Sequence, residues 1–363
     1  MLRRRFFDSI FGRAKPKTEK SKPAKSKLDA RELTYQHIWS QLVDTRATRH
    51  ATDLERPNVL VLQMAKVASQ SIRSALSSRG INVFHCHGLS NARQDRDLDR
   101  LRRSDLSVNL VSQRLGQHFQ YICLYLLVRW YREYKTRHGR RLKVITLTRD
   151  PVNRYASNFM QHRGVARPHI LSWQHARLGT DPAEPIDETV AIRDFVTELA
   201  SIIVEVRPST GADGCQACEA LARKRWPNHY IVEEEMSEWL RPLTWFDTEV
   251  KSVFGIDALA APELHERGWV ELHSDWAEIL VLKFEELAAV LPEIERFMDV
   301  PGLTLPFKNA TKNKDRAAET IAAINAALDS PVGRACIEEL RASRYARACG
   351  YDSPGSASNL EQT

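Results

Sequence analysis

Long apolar segments are missing from this sequence of 363 residues. The longest covers residues 121–128 and is followed at once by Arg129. A membrane-spanning helix needs about 20 apolar residues, so the sequence predicts none. Cysteine is also scarce, with six residues at irregular spacing. That number excludes a disulfide framework in a chain of this length and favours the reducing cytoplasm.

Ligand sets for metals are equally sparse. Cys215 and Cys218 form a CxxC pair, but no second pair of zinc ligands follows it. We therefore predict ordinary thiols and no metal. The glycine-rich signature GxxxxGK[ST] of ATP-binding P-loops is absent as well, which weakens an ATP-binding interpretation.

Positive charge is concentrated at the start of the chain. Residues 1–28 carry ten basic and two acidic side chains, and this excess accounts for the whole net charge of +7. The remainder is close to neutral, so the sequence does not favour a nucleic-acid partner. Apolar residues at helical spacing precede a Lys/Pro/Ser run, so this tail is predicted either to lie on an anionic membrane surface or to act as a solubilising tail.

The body of the chain has enough apolar side chains, 43% of residues, to fill a large core. Nearly continuous apolar runs at 58–64 and 142–148 predict parallel strands buried on both faces. A helix at 71–78 and a strand at 81–85 follow the first run. Strands that alternate with helices predict an α/β fold, a doubly wound parallel sheet flanked by helices.

The second half is predicted to add helical insertions and further strands. Beyond Tyr155 we expect an irregular stretch rich in proline and histidine, then a helix at 192–206. Short apolar runs predict strands at 231–233 and 279–282, and helices are expected at 245–254 and 285–298. The predicted organisation is a tail (1–28), a helical lead-in (29–56), an α/β domain (57–350) and a disordered end (351–363).

Two segments of the sequence are candidates for binding phosphate groups. A loop after the first strand contains Lys66, Val67, Ala68, Ser69, Gln70 and Ser71. Strand, short loop and helix form a cradle for anions, because free main-chain N–H groups and the helix dipole meet there. The second segment, RDPVNRYAS, starts at Arg149 directly after the strand at 142–148, and Ser157 lies two turns into the helix that Pro151 can open. An arginine fork and a hydroxyl are suited to a terminal phosphate. By itself, RDP also fits a helix cap with a surface arginine.

Together these segments resemble the two cofactor motifs of sulfotransferases that use 3′-phosphoadenosine 5′-phosphosulfate (PAPS). The resemblance implies a P-loop-like fold and PAPS as donor, without a metal. The first loop would hold the 5′-phosphosulfate, with Lys66 also catalytic, and Arg149 and Ser157 would hold the 3′-phosphate. Later segments are similar to a bacterial branch linked to capsular polysaccharide synthesis: Trp245-Phe246-Asp247, Gly255-Ile256-Asp257, residues 280–287, Asn309, Lys314 and Ser343-Arg344-Tyr345.

The resemblance implies transfer of a sulfuryl group to a carbohydrate hydroxyl on a polysaccharide or glycolipid. A general base is then expected, and His85 and His87 are the candidates, since residues two apart at a strand end share a face. A structural pair or a metal half-site is the alternative for them. Glu285 and Glu286 are expected to have structural or capping roles. We expect a cytoplasmic protein, peripheral on the inner membrane face if the tail binds there. The alternatives are an ATP-dependent kinase and a silent membrane-associated scaffold of the same fold.

Overall fold

The computed structural model describes residues 58–65, 67–90, 141–306 and 317–353. The tail, the lead-in, Lys66, Asn309, Lys314 and residues 354–363 lie outside the described residues, so the predictions for them stay predictions. No helix in the described ranges is both long and apolar enough to cross a membrane.

One five-stranded sheet forms the centre of the described protein, with the order β2-β1-β3-β5-β4. The strands are β1 (Asn58–Leu62), β2 (Asn82–Cys86), β3 (Leu142–Thr148), β4 (Trp269–His273) and β5 (Ala277–Lys283). Four strands are parallel, whereas β4 at one edge is antiparallel to β5. The prediction of an α/β fold with a parallel sheet is therefore confirmed in its main part, and the all-parallel form is wrong for the edge strand.

Helices make up most of the rest of the described chain. They are α1 (Ser69–Ser78), α2 (Pro151–Leu178), α3 (Glu188–Val206), α4 (Ala212–Arg225), α5 (Tyr230–Trp245), α6 (Glu263–Arg267), α7 (Leu291–Met298), α8 (Ala317–Leu328), α9 (Pro331–Arg341) and α10 (Arg344–Cys349). Short helical turns lie at Pro208–Thr210, Phe246–Lys251, Ser252–Phe254, Ala258–Ala260 and Phe284–Glu286. The predicted helix at 285–298 is thus confirmed only in its second half.

Two hydrophobic cores result from this arrangement. The first surrounds the sheet, where Leu60 in β1 and Ile145 in β3 are fully buried, as their apolar runs predict. The second lies among α2, α3, α4, α5, α8 and α9 and contains Trp173 and Trp239. The helical insertions expected after β3 therefore form a core of their own.

The irregular stretch predicted beyond Tyr155 is wrong, because α2 continues for 28 residues. Pro168 lies inside this helix and cannot donate to the carbonyl of Gly164. Both residues are exposed, so that carbonyl faces water. Burial of Ile170 and Trp173 beyond the proline offsets its cost of about 3 kcal/mol.

The strand predicted at 231–233 is also wrong. Ile231 and Val232 belong to α5, whose buried residues recur at helical spacing through Met236 and Leu240. Packing of a whole helical face against the second core overrides the β-preference of two branched residues.

Candidate functional site

The carboxyl ends of the four parallel strands meet at one edge of the sheet. Gln63 follows β1, His87 follows β2 and Arg149 follows β3. The chain leaves β1 for β2 on one side and returns as β3 on the other, so the strand order reverses between β1 and β3. Ligands of open α/β sheets bind in the crevice at such a reversal. Both predicted phosphate-binding segments flank this position.

The loop after β1 leads into the amino end of α1 as predicted, although the helix begins at Ser69. Ala68 at the N-cap has a left-handed conformation, with φ at 58°, and makes no side-chain cap. Its carbonyl accepts hydrogen bonds from the N–H groups of Ser71 and Ile72. The first turn of a helix presents N–H groups without intrahelical partners, and the helix dipole makes this end favourable for an anion. Val67 and Ser69 are buried, whereas Gln70 is exposed.

The RDP segment caps α2, so the predicted helix cap is confirmed. Asp150 Oδ1 accepts hydrogen bonds from the N–H groups of Val152 (3.0 Å) and Asn153 (2.9 Å). Pro151 occupies the first turn, where its missing N–H costs nothing. Arg149, however, is not a surface residue, since only 3% of it is exposed.

The environment of Arg149 is that of a buried cation. Its guanidinium carbon lies 4.3 Å from the centre of the Phe284 ring. Burial lowers the pKa of Arg149 to about 10, although Glu285 counteracts this shift, so the side chain is still positively charged at neutral pH. Both oxygens of Glu285 are engaged: Oε1 accepts from Asp150 N–H (2.9 Å) and Oε2 from the Tyr351 hydroxyl (2.7 Å). The structural role expected for Glu285 is confirmed.

Ser157 lies on the second turn of α2 and is half-buried. As the sequence predicted, it lies two turns into the helix that begins just after Arg149. Glu286 forms an ion pair with Lys283 (2.9 Å) at the end of β5.

His85 and His87 lie side by side at the end of β2, as the sequence predicted. Their ring centres are 4.7 Å apart in an edge-to-face arrangement. Gln63 connects both: its side-chain nitrogen lies 3.3 Å from His85 Nε2, and its main-chain oxygen lies 3.1 Å from His87 Nδ1. Burial, with the charges of His87 and Arg73, lowers the pKa of His85 to about 3.

These contacts assign different proton positions to the two rings. A carbonyl oxygen can only accept, so His87 Nδ1 must carry a proton, and the neutral ring then has its lone pair on Nε2. In His85, Nε2 accepts from the Gln63 amide. His85 is thus a neutral, buried partner, whereas His87 is half-buried and has the tautomer of a general base.

A π-helical turn after α5 holds the segment that carries His87. The Trp245 indole donates to the His87 carbonyl (3.2 Å). Glu249 in the turn Phe246–Lys251 is buried and accepts from the N–H of Leu89 (2.5 Å), the N–H of Ser90 (2.7 Å) and the Ser90 hydroxyl (2.9 Å). One carboxylate therefore fixes the chain just beyond the histidine pair.

Replacing Glu249 by alanine is expected to lower the free energy of unfolding by about 2–4 kcal/mol, since buried N–H groups lose their acceptor. Urea denaturation measures the change. Glu249→Gln keeps one acceptor oxygen and should lose less. Equal stability of Glu249→Ala and wild type would contradict this role.

Ionisable side chains are also buried between α2 and α5. Arg154 is fully buried and donates to the main-chain oxygen of Glu238 (2.6 Å) and to its carboxylate (3.3 Å). Burial raises the pKa of the neighbouring Glu235 to about 8. Burial likewise raises the pKa of Asp150 to about 6.

Raised carboxyl pKa values make stability fall as pH rises. Between the ordinary value of 4.5 and about 8, folded Glu235 keeps a proton that the unfolded chain has released. We expect the free energy of unfolding to drop by an amount on the order of 3 kcal/mol from pH 5 to pH 8. Urea denaturation at several pH values measures this drop. In Glu235→Gln, most of the fall in the free energy of unfolding above pH 6 should disappear. If the free energy of unfolding still falls as steeply with pH in this variant, Glu235 is not its cause.

The cysteine pair lies on the buried face of α4, and burial raises the pKa of both thiols. Among the residues that the structure describes, no group of three or more His, Cys, Asp or Glu side chains is placed to hold a metal ion. Among the described tryptophans, Trp173, Trp239, Trp245 and Trp276 are buried, whereas Trp226 and Trp269 are partly exposed.

Sequence reasoning missed Gln63 and Glu249 as parts of this site. Gln63 is the one polar residue between Val59 and Met64, a signal that could have marked it. Glu249 has no such local signal, because its partners are about 160 residues away.

Comparisons of the chain with protein-family models, with curated proteins and with solved structures gave no match.

Proposed function

We propose that this protein is a sulfotransferase that moves a sulfuryl group from PAPS to a carbohydrate hydroxyl, on a doubly wound, P-loop-like sheet. The observation that carries the proposal is the pairing of the two motifs at the sheet edge. The amino end of α1, which follows β1, and Arg149, which follows β3, lie after neighbouring parallel strands and flank the reversal of strand order. The resemblance suggests the donor, and the adjacent strands support a shared crevice for both motifs.

The donor would lie across this crevice. The N–H groups at the start of α1, with the hydroxyls of Ser69 and Ser71, suit the 5′-phosphosulfate. The buried cation of Arg149 suits the 3′-phosphate, to which a guanidinium can donate two parallel hydrogen bonds. Ser157 would add a hydroxyl. Lys66, outside the described residues, is proposed to stabilise charge on the leaving phosphate.

The transfer would be an in-line displacement at sulfur. A lone pair of the acceptor hydroxyl forms the new oxygen–sulfur bond, while the bond from sulfur to the 5′-phosphate oxygen breaks and leaves its electron pair on that oxygen. The acceptor proton passes to His87 Nε2, and no atom is oxidised or reduced. Positioning and charge stabilisation supply most of the catalysis in such reactions.

His87 is the stronger candidate for the base because of its tautomer. A base with the pKa of His85, about 3, would have little affinity for the acceptor proton near neutral pH. We propose that His85 and Gln63 orient His87 instead. The acceptor is proposed to be a polysaccharide or glycolipid, and contact of residues 1–28 with the cytoplasmic membrane surface would bring the enzyme to a lipid-linked glycan.

Calorimetric titration with 3′-phosphoadenosine 5′-phosphate (PAP), beside ATP and 5′-AMP, tests the proposal. We expect PAP to bind at least about tenfold more tightly than 5′-AMP, since only PAP carries the 3′-phosphate. Tighter binding of ATP would favour a kinase, and no nucleotide binding would favour a scaffold. Either result would overturn the sulfotransferase proposal.

A further inference from the structure

The turn that carries Arg149 is held by a residue almost two hundred positions later in the chain. The Tyr345 hydroxyl accepts from the N–H of Arg149 (2.9 Å) and donates to the carbonyl of the same residue (2.8 Å). Tyr345 is fully buried. One hydroxyl therefore satisfies both main-chain groups of Arg149 and fixes the direction in which its side chain leaves the turn.

Tyr351 holds the adjacent residues. Its hydroxyl donates to Glu285 Oε2 (2.7 Å) and lies 3.0 Å from Thr148 Oγ1. Because the single hydroxyl proton goes to Glu285, Thr148 must be the donor in the second bond. Glu285 Oε1 accepts in turn from Asp150 N–H. Each residue of the turn 148–150 thus has a partner from this network.

The position of Tyr345 is itself fixed by its two predecessors. Ser343 caps α10 by accepting from the N–H of Ala346 (3.2 Å). Arg344 forms ion pairs with Asp247 (3.1 Å) and Asp257 (2.5 Å). The segments around these aspartates and Ser343-Arg344-Tyr345 are far apart in the sequence, and the fold brings them into contact.

We infer that Tyr345, supported by Tyr351, is a positioning residue that orients Arg149 for the 3′-phosphate of the donor. The inference rests on the proposed function. A guanidinium that is already ordered loses little side-chain freedom when the phosphate binds, so preorganisation appears as affinity for the 3′-phosphate alone. A purely structural tyrosine would affect stability without altering the choice between nucleotides.

Tyr345→Phe tests the inference, because it removes the hydroxyl and keeps the ring. We expect the preference for PAP over 5′-AMP, measured by calorimetry, to fall by about threefold to tenfold, with 5′-AMP affinity unchanged. Arg347→Ala is the matched control, because Arg347 is exposed on the same helix, contacts the main-chain oxygen of Ala342 and leaves the hydroxyl of Tyr345 in place, so the preference should not change. A fall of the same size in Arg347→Ala would indicate a structural effect only and would overturn the inference.

The double variant Tyr345→Phe/Arg149→Ala separates the two residues. If Tyr345 acts through Arg149, the double variant should have the same nucleotide preference as Arg149→Ala alone. An unchanged preference in Tyr345→Phe, with wild type still favouring PAP, would overturn the inference and leave the proposed function intact. No preference for PAP in wild type would instead refute the proposed function. If Tyr345→Phe does not fold, Tyr351→Phe provides the same measurement, and an unchanged preference there refutes the inference.

Discussion

Arg149→Ala is expected to weaken binding of PAP about a hundredfold, while 5′-AMP affinity stays within about twofold of wild type. The guanidinium is buried, charged at neutral pH and stacked on Phe284. Its hydrogen bonds to a phosphate would form in a site shielded from water, where bonds between charged groups are strongest. Calorimetry at constant salt measures both affinities.

Arg141→Ala is the matched control for this variant. Arg141 immediately precedes β3 at the opposite edge of the sheet and lies 3.9 Å from Glu278. Its removal takes the same charge from the chain and should leave PAP binding unchanged. Arg149→Lys keeps the charge without the planar fork and should recover only part of the affinity. Equal losses with PAP and 5′-AMP would contradict a contact with the 3′-phosphate.

His87→Ala is expected to lower the rate of sulfuryl transfer by about 10²–10⁴-fold, the usual contribution of a general base, without a change in PAP affinity. Transfer to water can be followed as PAP released from PAPS, so the measurement needs no identified acceptor. The expectation follows from the Nδ1 proton that the Gln63 carbonyl holds in place.

Two other histidines make this prediction specific. His273 lies on β4 beside Glu278, at the far edge of the sheet, and His273→Ala should retain the full rate. His85→Ala should reduce the rate less than His87→Ala, since we propose that His85, in contact with the His87 ring and with Gln63, orients the base without taking the proton itself. If His85→Ala is the more damaging variant, the assignment of the base to His87 is wrong.

Much of the sheet was predictable, because a buried strand is marked by a run of apolar residues within the strand itself. The apolar runs of β1 and β3 indicate strands buried on both faces, and the structure confirms both. The edge strand β4 was missed because WVELH is half-buried and lacks such a run. The long helix α2 was missed because Pro168 is an ordinary helix breaker, and only packing of its far half on the second core keeps the helix continuous.

The sequence alone determined which polar residues follow the buried strands and in which order: a loop predicted to hold an anion after one strand, an arginine and a helix cap after another, and a histidine pair between them. The tertiary structure decided three further points. It buried Arg149 and tied its turn to Tyr345, it distinguished His87 from His85 through Gln63, and it joined Arg344 to Asp247 and Asp257. These contacts could not be predicted because hydrogen bonds and burial between distant residues depend on the path of the whole chain, for which local patterns carry no signal.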